Sequence, residues 1–207
     1  QHLWGKLVKE TNRMIREEVG DPRVQTVCIG PGGEKLVRFA CAMVSQDLAC
    51  GKTGMGTVMG SKNLKAVAVR GTKGVKVANP GVFRTFAKNL HQKIVQNQRY
   101  PTFSKYGTTE LLEKVDKVGM VAIRNAQESG QWDKSKLDSL RAETLHKNYT
   151  VKPRACFGCP MHCHSWFKIK DGPFAGETGI TPEYLMQCSL GPLVDNTYAP
   201  AIYKMAE

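Results

Sequence analysis

The chain has 207 residues, 41% of them hydrophobic, with seven cysteines. This suits one or two globular domains with a proper core, and no run of eighteen apolar residues offers a membrane-spanning helix. The formal charge of +12 comes from 30 basic and 18 acidic residues; such a balance suits nucleic acid, anionic lipid, or an anionic cofactor or redox partner, but the basic residues are spread along the sequence as on solvated faces, and no common nucleic-acid-binding motif accompanies them.

Residues 7–19 read as a helix with Gly20 as its stop. Residues 24–29 are β-branched enough for a buried strand, which Gly30-Pro31-Gly32-Gly33-Glu34 then breaks. Residues 37–44 read as a strand or a buried helix, with strand preferred, and 64–69 as a third strand. Between them lies a glycine-rich stretch, 51–63. It is either a loop whose N–H groups cradle phosphate oxygens or an ordinary turn in a β domain. Gly51-Lys52-Thr53 resembles the end of a P-loop, but Gln46 stands where the leading glycine belongs, which excludes that motif.

After a linker near residue 77, Asn79 and Pro80 form the cap and first turn of an amphipathic helix at 82–95, and Tyr100-Pro101 ends that unit. Further helices are expected at 108–118, capped by Gly119, and at 135–149, with a polar loop at 124–127. Residues 166–169 read as a short strand, and Thr181 as the N-cap of another helix. The fold class is α+β, a β-rich first third followed by a mainly helical remainder. The missing initiator Met and the helix left open at the end read as a piece of a longer polypeptide.

Cys156, Cys159 and Cys163 follow C-x2-C-x3-C spacing. A tight turn there can aim three thiolates at one iron–sulfur cluster. Gly158 eases the backbone, and Pro160 fixes φ after the second cysteine. The fourth ligand must come from elsewhere, and Cys188 lies downstream. Structural zinc, with His162 or His164 as fourth donor, competes with this reading, as does a disulfide. The four scattered cysteines do not resemble a secreted disulfide framework and fit a reducing cytoplasm.

Taken together, the segment 54–66, the segments 29–34 and 103–109, and Ala155-Cys156-Phe157-Gly158-Cys159-Pro160-Met161-His162-Cys163 closely resemble the aldehyde:ferredoxin oxidoreductase family of tungsten enzymes, over nearly the whole chain. The resemblance implies a tungsten bis-molybdopterin (tungstopterin) cofactor and a 4Fe–4S cluster. Residues 1–76 would be the end of a β domain on which the pterins sit, and 80–207 the start of a helical domain carrying the cluster cysteines. Cys156, Cys159 and Cys163 match three of the family's cluster ligands, the fourth lying beyond this chain. Gly51, Lys52, Thr53 and Gly54 match the segment that contacts the pterin phosphates. Lys52 stands where arginine is usual, keeping the charge but not the bidentate fork.

The activity implied is oxidation of a small aldehyde to a carboxylate, with electrons passing to ferredoxin or an electron-transfer subunit of an oligomeric assembly. Glu183 is the candidate acid/base, or simply a first-turn helix carboxylate. Leu185 departs from the family's second acidic position. Cys188 is either a buried inert thiol or a tungsten ligand, as in the related benzoyl-CoA reductase branch, which reduces an aromatic ring. Rival classes are a ferredoxin-like electron-transfer module and a zinc-stabilised nucleic-acid binder.

Overall fold

The computed structural model describes residues 1–45, 48–51 and 53–206. The fold is α+β, in two compact units, Gln1–Lys76 and Val77–Glu207. No helix among the described residues is long and apolar enough to cross a membrane.

The first unit contains α1 (Val8–Val19), β1 (Gln25–Cys28), α2 (Pro31–Glu34), β2 (Ala42–Val44), β3 (Leu48–Cys50), α3 (Met55–Ser61) and β4 (Ala66–Val69). The strands form one antiparallel sheet in the order β3-β2-β1-β4. Helix α1 ends where Gly20 turns left-handed at φ 70°. Its buried Asn12 ties helix to sheet, donating to the Ser45 carbonyl and accepting from the Thr26 hydroxyl. A buried amide is tolerated only when its polar atoms find such partners. The buried ion pair Lys65–Glu34, at 2.5 Å, joins the start of β4 to the end of α2.

Two expectations change in this unit. The second strand is only three residues long, because residues 37–41 carry turns. The glycine-rich stretch is not a loop throughout: from Met55 to Ser61 it is helix α3, and the break at 31–34 is helix α2. The glycines explain the packing of the pair. A Cβ at Gly60 would stand 2.0 Å from the Gly33 carbonyl oxygen, and one at Gly56 would stand 2.5 Å from the Cys41 carbonyl. Gly56 and Gly60, four apart, share a helix face. They let α3 lie directly on neighbouring backbone.

The second unit contains α4 (Pro80–Val95), α5 (Tyr100–Tyr106), a 3₁₀ turn (Gly107–Glu110), α6 (Leu111–Lys117), β5 (Ala122–Ile123), β6 (Glu128–Ser129), α7 (Lys134–Ser139), α8 (Ala142–Tyr149), β7 (Thr150–Arg154), β8 (His164–Lys168), β9 (Thr178–Ile180), α9 (Tyr184–Leu190), a second 3₁₀ turn (Pro192–Val194) and α10 (Ala199–Ala206). Its core gathers Leu112, Ile123, Leu140, Phe167, Ile202 and Tyr203. Asn79 caps α4, its side chain accepting from the Val82 N–H at 3.1 Å. Pro101 does not stop a unit; it sits in the first turn of α5, where its missing N–H costs nothing.

The helix expected at 135–149 is two helices. Arg141 is extended (ψ 147°), and the Leu140 carbonyl accepts from buried Gln187 at 2.6 Å instead of continuing a helix. Residues 124–126 form the tight turn of the β5–β6 hairpin, all three at positive φ. Strands β7 and β9 flank β8 in an antiparallel sheet that the sequence reading credited with one strand. Thr181 is not an N-cap: that position belongs to Glu183, whose side chain makes no capping bond, while the Thr181 hydroxyl accepts from the Ser165 N–H at 3.1 Å.

Replacing Gly60 by Ala forces a methyl group onto the Gly33 carbonyl and should destabilise the protein by ~1–3 kcal/mol. Gly71→Ala, where a Cβ meets nothing within 4 Å, should change stability little. Chemical denaturation of the two variants measures the contrast; equal midpoints would refute the packing argument.

Candidate metal centre and cofactor-binding residues

The three cysteines lie in the connection between β7 and β8. The strands pair up to Arg154 opposite His164, so the ladder holds both ends of the run. Within it the Cys159 N–H donates to the Cys156 carbonyl at 3.1 Å, closing a turn that Gly158 passes at φ 69°. Cys156 and Cys159 are exposed, Cys163 is half-buried, and all three are free thiols, so no disulfide forms here. Phe157 between them stands fully in solvent.

Electrostatics shows how close these groups are. Burial pushes the Cys163 thiol up, and negative charge on Cys156 and Cys159 pushes it further, while Arg154 pulls it back. The Arg154 guanidinium feels the charges of both Cys156 and Cys163 and lies 5.7 Å from the centre of the Trp166 ring. Three thiols within each other's field, with a cation behind them, can hold a polynuclear anionic cluster. Among the described residues no three His, Cys, Asp or Glu side chains converge tightly enough to enclose a single ion. Of the competing histidines, His162 Nδ1 lies 3.1 Å from Ser104 Oγ, and His164 Nδ1 lies 3.4 Å from the Thr181 carbonyl.

Glu183 and Cys188 are brought together by α9. Glu183 is half-buried at its N-terminal end. Cys188 lies against the core of the second unit. Burial pushes its thiol up to about 11, a hydrogen bond from the Tyr184 phenol opposes this, and the Glu183 charge adds to it. A thiol so placed is protonated at neutral pH. Leu185 is exposed.

Of the residues expected at the pterin phosphates, Lys52 lies outside the described residues. Gly51 is exposed and a Cβ on it would meet nothing. Thr53 has φ 89°, and Gly54 (φ 70°) is the residue before α3, its Cβ direction blocked by the Arg38 carbonyl at 2.2 Å. The backbone thus turns through two left-handed residues just where the glycine-rich stretch becomes helix.

Comparison with known proteins matches residues 1–71 to the aldehyde ferredoxin oxidoreductase N-terminal domain and residues 85–207 to domains 2 and 3 of the same enzymes. The chain belongs to the aldehyde ferredoxin oxidoreductase family. It is 41% identical over 193 residues to the tungsten-containing aldehyde ferredoxin oxidoreductase of Pyrococcus horikoshii, covering 91% of this chain and 30% of that protein. The Pyrococcus furiosus enzyme of the same name is 37% identical over 194 residues, with 92% and 30% covered. An aliphatic sulfonate oxidoreductase WOR-like subunit of Pyrococcus furiosus is 32% identical over 200 residues, with 91% and 30% covered. This family member thus spans about 30% of the length of these relatives. Among solved structures, the active site complex BamBC of benzoyl coenzyme A reductase with 1,5 dienoyl-CoA shares the fold, with a TM-score of 0.72 and 23% identity over 99% of this chain and 32% of that one.

In this family member Arg154 is the residue that sequence reasoning passed over. A basic side chain two positions before the first cysteine was the available signal, lost among 30 basic residues.

The Cys188 thiol should react with iodoacetamide only as pH approaches about 11, and Tyr184→Phe should move that midpoint higher, since the lost hydrogen bond favoured the thiolate. The folded value exceeds the unfolded one, so this thiol's contribution to stability is complete below the ordinary thiol range. It is lost as pH climbs from there through about 11. Peptide mass spectrometry across a pH series reads the alkylation. A Cys188 that never titrates because a metal holds its thiolate would contradict the core-packed assignment.

Proposed function

We propose that this chain forms the pterin-floor and iron–sulfur part of a tungsten oxidoreductase that oxidises small aldehydes to carboxylic acids, with electrons leaving through a 4Fe–4S cluster to ferredoxin or an electron-transfer subunit. The observation that carries the reading is the cysteine turn itself: three free thiols in one another's field beside Arg154, in a chain matched along nearly its whole length to the family. The family relationship and the relatives' tungsten-containing names support the metal.

Cys156, Cys159 and Cys163 are the proposed ligands of three cluster irons, and Arg154 offsets part of the negative charge those thiolates carry. Gly51, Thr53 and Gly54 bring backbone close to the pterin phosphates, and Lys52 supplies the cation. The tungstopterin, when bound, supplies the oxygen-atom and two-electron chemistry. Aldehyde and water become carboxylate, three protons and two electrons. Glu183, half-buried at the head of α9, is the proposed proton acceptor, and the exposed thiol edge of the cysteine turn is the exit for single electrons.

Aromatic-ring reduction is the second reading, favoured by the presence of Cys188 where a sulfur ligand could stand. The core packing of that thiol and its suppressed ionisation weigh against it.

Cys159→Ser in the anaerobically purified protein should lose most of its iron and lower aldehyde-dependent reduction of a viologen dye by more than about tenfold. Elemental analysis for iron, tungsten, molybdenum and zinc, with the dye assay on aldehydes and on benzoyl-CoA, reads this. A variant with full iron and turnover, or a parent protein with zinc alone, would overturn the proposal.

A further inference from the structure

Residues 100–109 contain family-like sequence but take no part in the chemistry above. They nevertheless touch the cysteine turn on one side and the head of α9 on the other. The Tyr100 hydroxyl donates to the Pro160 carbonyl at 3.1 Å, and Ser104 Oγ lies 3.1 Å from His162 Nδ1. One helical turn separates Tyr100 from Ser104, so both reach the cysteine turn from the same face of α5. The helix stops at Gly107 with φ 63° and ψ −152°, a region open essentially only to glycine. A Cβ there would stand 2.0 Å from the Cys163 carbonyl oxygen. Three successive contacts thus fix the segment from Pro160 to Cys163, two by hydrogen bonds and one by backbone lying directly on backbone.

The next residue faces the other way. Thr108 Oγ1 accepts from the Tyr184 N–H at 3.0 Å, at the first residue of α9 and directly after Glu183. The Thr109 hydroxyl donates to the Tyr106 carbonyl at 2.6 Å and locks the turn between the two sets of contacts.

We infer that residues 100–109 are a positioning element: Tyr100, Ser104 and Gly107 set how the cysteine turn presents its thiols, and Thr108 ties that setting to the helix that Glu183 leads. This rests on the cysteine turn being a cluster ligand set. A partly buried hydrogen-bonded support of this kind keeps ligands aimed when the cluster is oxidised, reduced or challenged by a chelator, and its loss is typically felt in metal retention.

The test compares parent, Tyr100→Phe/Ser104→Ala and Ser104→Thr proteins, purified anaerobically. Iron release to a ferrous chelator, the electron paramagnetic resonance spectrum of the reduced cluster and the thermal unfolding midpoint are measured for each. The double variant should release iron about tenfold faster and show an altered spectrum, with an unfolding midpoint close to the parent's. Ser104→Thr keeps the hydroxyl and should restore most of the parent behaviour. Gly107→Ala should fail to retain iron, but it can also fail to fold, so the milder variants decide the matter. If the parent holds a cluster and the double variant matches it in release rate and spectrum, the inference is overturned and the cluster reading stands. A parent that binds no iron overturns the cluster reading and takes this inference with it.

Discussion

Thiols crowded into one short turn repel one another once ionised, and the second unit shows what fixes the turn that carries three of them. The β7–β8 ladder fixes both ends of the run, with Arg154 opposite His164 at its mouth. On the inner face of β8, Phe167 is buried and tilts against Tyr203 at 4.6 Å, so the strand is anchored in the core rather than floating at the surface. On the outer face Trp166 spreads beneath Lys152 and Arg154. A guanidinium stacked on an aromatic ring keeps its charge while losing freedom. The cation that eases thiolate crowding is therefore held in place by the same strand pair that carries the cysteines. Burial first, and then its two neighbours, still leave the Cys163 thiol harder to ionise than usual once that cation is counted.

The cysteine turn was legible in the sequence because its constraint is local. Cysteine spacing within eight residues requires nothing from the rest of the fold. Helix α4 was legible for the same reason: Asn79, Pro80 and an apolar stripe specify its start and its face. Misreadings arose where the deciding partner is distant in sequence. Leu140 ends α7 because Gln187 takes its carbonyl, a contact across 47 positions. Pro101 reads as a stop from one side and as a helix opening from the other, and only the structure tells which. Strand β7 hides behind a proline, which an edge strand tolerates because its outer N–H groups need no partner.

Glycines carried the largest ambiguity. Read along the chain, the stretch from 51 to 60 suggests a flexible cradle. In the fold its members divide. Gly56 and Gly60 are small because backbone of α2 and of residues 40–41 lies where their side chains would be, and Gly54 is left-handed with the Arg38 carbonyl against it. Only Gly51 faces open space. A cluster of glycines is thus evidence of close approach, but the approaching group can be the protein's own backbone, and composition cannot distinguish that from a ligand.

Helix α9 fixes where Glu183 and Cys188 stand. Glu183 precedes the helix in extended conformation at its N-cap, while Cys188 lies inside it with its side committed to the core. Rotating α9 to free the thiol would break the Thr108 bond at its head and withdraw Gln187 from Leu140 on its buried side. Both bonds hold the orientation in which Glu183 leads the helix.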